Sequence, residues 1–247
     1  MVMISKKRFS TWRIRELRYR YMLDARAIEL YLDALFETLY LVFGTGIFVL
    51  VIGFIIGFIL YATEPKSPFQ LPKGFQVLHR IIASINDIAR SIPFIILLIM
   101  MIPVTRAFVG TILGPTAALP SLIISASPFF ARVVHMALKE VTYESIEALK
   151  SMGATQRTTV RIIVKEALPA LVSGYTLTLV TLVGFIAAAA VIGAGGLAYL
   201  AYEYGKFGNN YPLMYLSIVT ILLIVFVIQI TGDVLSRALN HRTEKGA

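Results

Sequence analysis

Charge-free apolar runs alternate with short polar segments along the chain, and this pattern predicts membrane-spanning helices. The first run, Thr38–Thr63, has 26 residues without a charge. At about 1.5 Å per residue, a helix of this length exceeds the roughly 30 Å hydrocarbon core of a bilayer. The first span is therefore predicted to cross the membrane with some tilt.

The two central spans are predicted to be bent or broken. Ser91–Thr105 is charge-free over only 15 residues, so a span there must include the preceding turn or bend at Pro93. A turn is expected at Gly114-Pro115, followed by a proline-bent helix over about Ala117–Leu138. Proline is tolerated in membrane helices when neighbouring groups satisfy the freed carbonyls.

The last third of the chain holds two further predicted spans. The apolar run after Ala167 contains adjacent glycines, which favour a break. We therefore predict that this span ends near Ile192 and that Gly193–Asn210 forms a re-entrant or surface loop. A final span is predicted from about Tyr211. The fold class that the whole pattern predicts is an all-α polytopic membrane protein with about five transmembrane helices.

The composition agrees with a membrane protein. Apolar residues make up 57% of the chain and charged residues 15%, whereas soluble domains average about 25% charged residues. The net charge of +9 is explained by basic residues in loops and near anionic headgroups. We therefore expect a lipid bilayer as partner and no nucleic acid. The absence of cysteine excludes disulfides and thiolate metal sites.

The distribution of Lys and Arg predicts the orientation. If the polar segment after the third span is cytoplasmic, the cytoplasmic loops hold 13 Lys and Arg, and the outer loops after the first span hold two. Because positive charge collects on the cytoplasmic side, this segment and the C-terminus are predicted to be cytoplasmic and the N-terminus to be outside. The basic N-terminal residues contradict this assignment.

Three parts are predicted along the chain: an N-terminal extension at 1–29, a transmembrane domain at 30–240 and a C-terminal tail at 241–247. The extension carries eight Lys and Arg interleaved with aromatic residues. This pattern is typical of an amphipathic helix on a membrane surface and equally of a solvated basic tail. Both interpretations stay open.

A polar hairpin at 143–166 separates the third and fourth spans. Ile146, Leu149 and Met152 recur at helical spacing and so share one apolar face. Gly153 is predicted to end the first helix in a left-handed conformation, and Thr155 to cap a second helix. Such a hairpin is either a docking element for a cytosolic partner or an ordinary solvated loop.

Several kinds of chemistry are absent from the sequence. It contains no Gly-x-x-x-x-Gly-Lys-Ser/Thr sequence, so we do not expect this chain to hydrolyse ATP, and we predict no catalytic residue, metal site or cofactor on it. The glycines at 193–196 are interpreted as a backbone turn. Because no ionisable side chain is predicted at the middle of a span, an ion-driven carrier and an acid–base membrane enzyme are disfavoured.

The hairpin resembles the coupling motif of ATP-binding-cassette importer permeases, in the residues Glu147-Ala148-Leu149, Gly153-Ala154-Thr155 and Glu166-Ala167-Leu168-Pro169. Further blocks, in matching order over roughly residues 31–240, resemble the methionine-importer permease (MetI-like) family. These blocks are RSIPFIILL at 90–98, MIPVTR at 101–106, SPFFAR at 127–132, TLVG at 181–184, GAGGL at 193–197 and YEYG at 202–205.

The resemblance implies a type I importer permease in a bacterial inner or plasma membrane, working as a homodimer. Two separate ATPase subunits would carry ATP and Mg²⁺, and an extracytoplasmic binding protein would deliver methionine. The implied ATPase contact comprises Glu147, Ala148, Leu149, Met152, Gly153, Ala154 and Thr155. The implied pore and gate residues are Pro93, Phe94, Gly184, Ala187, Ala188, Ala189, Ala190, Gly193, Gly195 and Gly196.

The sequence departs from the family pattern at three places. Lys165 stands where the family usually has proline, so the second hairpin helix is expected to run straighter. The run Ala187–Ala190 is small for a gate, and the extension at 1–29 has no counterpart. A permease for another amino acid or small solute is the nearest alternative, and an ATPase-independent membrane carrier is the alternative from another class.

Overall fold

We analysed a computed structural model, which describes residues 25–65, 67–69, 71–72, 74–141, 143–208 and 210–240. This part of the chain is all-α and contains no strand. The predicted tail at 241–247 and nearly all of the predicted extension at 1–29 lie outside the described residues. The helices are α1 Ala25–Thr63, α2 Gly74–Ser91, α3 Phe94–Met100, α4 Ile102–Val109, α5 Pro115–Lys139, α6 Tyr143–Ser151, α7 Gln156–Ala190, α8 Gly196–Lys206 and α9 Tyr211–Leu239.

Four helices, α1, α5, α7 and α9, are long and apolar enough to cross a membrane. The pair α2 and α3 meets the same test together, with a bend of 103° between them. Pro93 lies at this bend in an extended conformation, as predicted, because proline cannot donate a helical hydrogen bond and disfavours helix before it.

The broken pair crosses the bundle from one end to the other. We call the end that carries α6 the hairpin end and the opposite end, which carries α8, the far end. His79 on α2 contacts Leu60 near the hairpin end of α1, with its Nδ1 atom 3.1 Å from the Leu60 carbonyl oxygen. Leu98 on α3 lies beside Ala117 and Ala118 at the far end of α5. With the bent pair counted as one crossing, the described part of the chain makes five crossings. α1 then starts at the far end, and α9 finishes at the hairpin end.

The first helix is longer than predicted. It begins at Ala25 and continues for 39 residues, so it passes through the predicted boundary at residue 29. At about 1.5 Å per residue it is roughly 58 Å long, which exceeds the bilayer core. The helix continues past the charges at Glu29, Asp33 and Glu37 because its first half packs on α8 and α9 through Ala27 and Ala34.

The core is built on a close, parallel contact between α1 and α5. A Cβ atom added to Gly57 would lie 2.5 Å from the carbonyl oxygen of Ala131, and one added to Gly53 would lie 2.8 Å from the Phe130 ring. The Gly-x-x-x-Gly spacing thus serves packing within this chain. Phe130 is 1% exposed at the centre of this contact.

The predicted loop at Gly193–Asn210 is wrong, because Gly196–Lys206 forms α8. The break at the adjacent glycines is real, but the chain then re-enters a helix. Leu197 and Leu200 are buried at a spacing of three residues against α1 and α9. This burial stabilises a short helix that the glycine-rich sequence alone does not indicate.

Candidate functional site

The polar hairpin folds as predicted at its turn. Gly153 has a φ of 79°, in the left-handed region that glycine adopts without a steric cost. The Ala154 N–H donates to the Leu149 carbonyl at 3.0 Å, and the Gly153 N–H donates to the Lys150 carbonyl at 2.9 Å. This is the Schellman arrangement that satisfies the last carbonyls of a helix.

The second half of the hairpin begins with the predicted cap. The Thr155 hydroxyl accepts a hydrogen bond from the Thr158 N–H at 3.3 Å. The helix that follows is not a separate short element, because α7 continues for 35 residues through Lys165 and Pro169. A displacement of the hairpin would therefore be transmitted directly to a membrane-crossing helix.

The predicted apolar face of the hairpin is buried at one end and exposed at the other. Ile146 is 3% exposed and belongs to the chain's own core, whereas Met152 is 84% exposed. Leu149 lies between them and is half-buried. The predicted apolar face is therefore not exposed along its whole length. Ile146 anchors α6, whereas Met152 at the tip stays exposed.

The surface around Met152 consists of the other predicted coupling residues. Glu147, Ala148, Gly153 and Thr155 are exposed, and Ala154 is partly exposed. A Cβ atom added to Gly153 would meet no atom of this chain within 4 Å. A partner molecule can therefore approach the turn without any rearrangement of this chain.

Two contacts fix the base of this surface. The Lys150 ammonium group donates to the carbonyl of Pro68, in the connection between α1 and α2. Ile163 near the start of α7 is buried in the same core as Ile146. The tip is therefore exposed while its base is held, which suits an element that transmits force.

A charged cluster at the hairpin end was not predicted from the sequence. Glu64, just after α1, accepts from the Lys139 ammonium group at 2.6 Å and lies 3.1 Å from the Nε2 atom of His135. Burial by itself raises the pKa of Glu64, but the hydrogen bonds from Lys139 and His135 outweigh it and hold this pKa below its ordinary value of 4.5. The cluster ties α1 to α5. The sequence feature that could have indicated this cluster is Glu64, which directly follows the charge-free run Thr38–Thr63.

The predicted gate residues on α7 differ in how deeply they are buried. Gly184 is exposed and has no neighbour within 4 Å of an added Cβ atom, and Ala187 and Ala188 are partly exposed. Ala189 and Ala190 are 0% and 1% exposed, inside the bundle of the same chain. In this conformation only the first three can face a path along the outside of the bundle.

Pro93 and Phe94 lie next to this part of α7. Pro93 is the cap of α3, and the Phe94 ring stacks on Phe185, with ring centroids 4.7 Å apart and an angle of 10° between the rings. The stack places the start of α3 beside Gly184. The structure thus brings together the predicted pore residues of two separate sequence blocks.

The glycines that follow α7 form a joint between three segments. The Gly196 N–H donates to the Glu37 carboxylate at 2.7 Å, and the Leu197 N–H donates to the Thr38 hydroxyl at 2.8 Å. The Gly114 N–H donates to the Gly193 carbonyl at 2.9 Å. These contacts connect the end of α7 to α1 and to the turn before α5.

The close contacts in this joint explain why Gly195 and Gly196 leave no room for a larger residue. A Cβ atom added to Gly195 would lie 2.6 Å from the Glu37 carboxylate, and one added to Gly196 would lie 2.8 Å from the Thr38 hydroxyl. Sequence reasoning missed Glu37. It is an acidic residue placed at the N-terminus of α8, where partial positive charge favours an anion.

Comparison with known proteins identifies the family. The family described as binding-protein-dependent transport system inner membrane component matches residues 73–245. The chain is 43% identical over 211 residues to the methionine import system permease protein MetP of Bacillus subtilis, covering 85% of this chain and 93% of that protein.

A second relative and a solved structure agree. The probable D-methionine transport system permease protein MetI of Pasteurella multocida is 43% identical over 83% of this chain and 94% of its own length. A structure of inward-facing MetNI methionine ABC transporter superposes with a TM-score of 0.82 at 42% identity, covering 88% of this chain and all of that one. The chain is a multi-pass membrane protein that belongs to the family of binding-protein-dependent transport system inner membrane components.

Proposed function

We propose that this protein is the membrane-spanning permease subunit of an ATP-driven methionine importer. The observation that carries the proposal is the hairpin, with an exposed tip at Met152 and Gly153 on a base held by Ile146 and Lys150. The similar proteins named for methionine transport, which match most of the chain, support methionine as the substrate.

The assembly that we propose contains two copies of this chain and two ATPase subunits, with ATP and Mg²⁺ on the ATPases. An extracytoplasmic binding protein delivers the substrate. The hairpin end, with the C-terminus, is cytoplasmic in a bacterial cell membrane, and the path runs between the two copies past Gly184, Ala187 and Ala188. The exposure of these three small residues supports this placement.

Coupling follows from the continuity between the hairpin and α7. When the ATPases close, they displace the tip at Met152, and α7 follows because its first turn begins at the Thr155 cap. At the far end, the joint with Glu37 and Thr38 holds the end of α7. A helix displaced at one end and held at the other changes its tilt, which opens or closes the path beside Gly184.

The proposal is tested by two substitutions at Gly153 in the complete complex, reconstituted in vesicles. Gly153→Asn keeps the left-handed backbone accessible, whereas Gly153→Asp adds a negative charge to the proposed contact as well. We expect Gly153→Asp to reduce methionine uptake per ATP hydrolysed by at least about tenfold, and Gly153→Asn to have a much smaller effect. Full coupling in Gly153→Asp would reject the hairpin as the ATPase contact.

The substrate is tested separately through the binding protein. We expect methionine to saturate uptake and to bind the partner binding protein more tightly than other amino acids. A binding protein that prefers a different solute would retain the permease assignment and reject methionine. Transport by this chain without any ATPase would reject the permease assignment itself.

A further inference from the structure

A cavity of about 110 Å³ lies at the far end of the bundle. Its walls come from α3, α4, the turn before α5, the first turns of α5 and the turn after α7, and they are mostly aliphatic. Leu98 on α3, Ala117 and Ala118 on α5 and Ala194 after α7 form the buried part of the wall. Because these five segments converge here, the cavity is a feature of the tertiary fold.

Two hydroxyl groups interrupt the apolar wall. Thr105 and Ser121 line the cavity and are 4% and 3% exposed. Neither side chain forms a hydrogen bond with another described residue, whereas most other buried threonines of the described helices bond to a carbonyl four residues earlier. Both hydroxyl oxygens keep some accessible surface, unlike the sealed hydroxyls of Thr45 and Ser127, so both can donate a hydrogen bond to a ligand in the cavity.

The cavity adjoins the elements that carry the proposed gate. The first residue of α3, Phe94, stacks on Phe185 beside Gly184, and the last turn of the same short helix lines the cavity. Ile192 and Ala194, which follow the end of α7, form another wall. A seven-residue helix is about 10 Å long, so the cavity lies about that far from the gate.

We propose that this cavity receives the unbranched apolar side chain of the transported amino acid, with Thr105 and Ser121 donating to its thioether sulfur. An apolar cavity of about 150 Å³ accommodates benzene, so about 110 Å³ suits roughly four heavy atoms, the number in a methionine side chain. Sulfur in a thioether is a weak acceptor, and the two free hydroxyls match it. This inference rests on the proposed function.

The first test uses photo-methionine, an analogue with a diazirine in the side chain, on the complete complex in nanodiscs. We expect ultraviolet light to attach it to peptides containing residues 98–121, and excess methionine to prevent the labelling. Labelling confined to lipid-facing peptides, or unaffected by methionine, would overturn the proposal. Labelling of the cavity by a photoactivatable fatty acid that methionine does not displace would assign it to lipid and would also overturn it.

The second test fills the cavity. Ala117→Leu is expected to abolish the labelling and to raise the KM of methionine uptake at least about tenfold, with ATPase assembly retained. The matched control is Ala107→Leu on α4, an exposed position that does not line the cavity, which should stay within about twofold. Unchanged labelling and KM in Ala117→Leu would reject the subsite.

A third variant keeps the test decisive if Ala117→Leu does not assemble. Thr105→Val with Ser121→Ala keeps the cavity open but removes both donors. We expect it to reduce the preference for methionine over norleucine, which has the same length without sulfur, by about threefold or more. An unchanged preference contradicts the donor role.

The subsite and the proposed function can fail separately. A complex that imports methionine without labelling the cavity rejects only the subsite, whereas a complex that never imports methionine rejects the proposed function.

Discussion

Glycines with positive φ lie in the connections on both sides of α7, but their surroundings differ. At the hairpin end, Gly153 has empty space around it. At the far end, Gly195 and Gly196 are pressed against Glu37 and Thr38. The first glycine permits a turn on an exposed surface, whereas the other two also permit close approach. In the proposed mechanism, the hairpin end of α7 is displaced and the far end is held.

The largest effect is expected from Gly196→Val. It combines strain at a φ of 81° with overlap on the Thr38 hydroxyl, and we expect a loss of about 3 kcal/mol or more in the free energy of unfolding. Gly153→Val, at a similar φ but in open space, should cost only about 1–2 kcal/mol. Thermal unfolding of the purified complex in detergent measures both. Equal losses would contradict the distinction between the two ends.

A smaller effect is expected from Glu37→Ala, which removes the acceptor at the start of α8. Loss of a helix cap costs about 0.5–2 kcal/mol, and the change should loosen the joint without altering the hairpin. Glu37→Gln keeps an acceptor oxygen and serves as the matched control. Hydrogen exchange at the Gly196 and Leu197 amides should rise in the Ala variant, and equal exchange in both variants would remove Glu37 from the joint.

The charged cluster at the hairpin end predicts a pH dependence. Because the pKa of Glu64 is lowered in the folded protein, its contribution to stability is complete above its ordinary value of 4.5 and is lost as the pH falls through the lowered value. Glu64→Gln should flatten this acid transition and cost about 1 kcal/mol or less at neutral pH, since the side chain is partly exposed. Unfolding measured from pH 7 to pH 3 tests it. An identical acid profile in the variant would contradict the assignment.

The smallest change in stability is expected from Met152→Ala. Met152 is 84% exposed, so the free energy of unfolding should change by less than about 0.5 kcal/mol. Its effect should appear only when the ATPase is bound, as weaker association measured by co-purification. Ile146→Ala, on the same helix but buried, should instead destabilise the protein by about 2–5 kcal/mol. A stable Ile146→Ala variant would contradict the proposed anchoring of the hairpin.

The spans and the turn of the hairpin were predictable because they follow from local physics. Charge-free length defines Thr38–Thr63 as a span, Pro93 interrupts the second crossing, and Gly153 and Thr155 end and start helices through their own backbone and hydroxyl groups. The different exposure of Ile146 and Met152 was not predicted, because their spacing placed both on one broad apolar face, and the packing of α6 buries Ile146 while Met152 lies beyond the end of α6.

By itself the sequence determined the class of protein, the five crossings and the position of the polar hairpin, because hydropathy and helix ends depend on near neighbours in the chain. Only the tertiary structure decided that residues 196–206 form a helix, that Glu37 and Thr38 cap it and that Ala189 and Ala190 face inward. Each of these depends on residues far apart in sequence: Glu37 meets Gly196 across 159 positions. A local pattern contains no information about such partners, so the joint and the cavity beside it became visible only when the helices were packed.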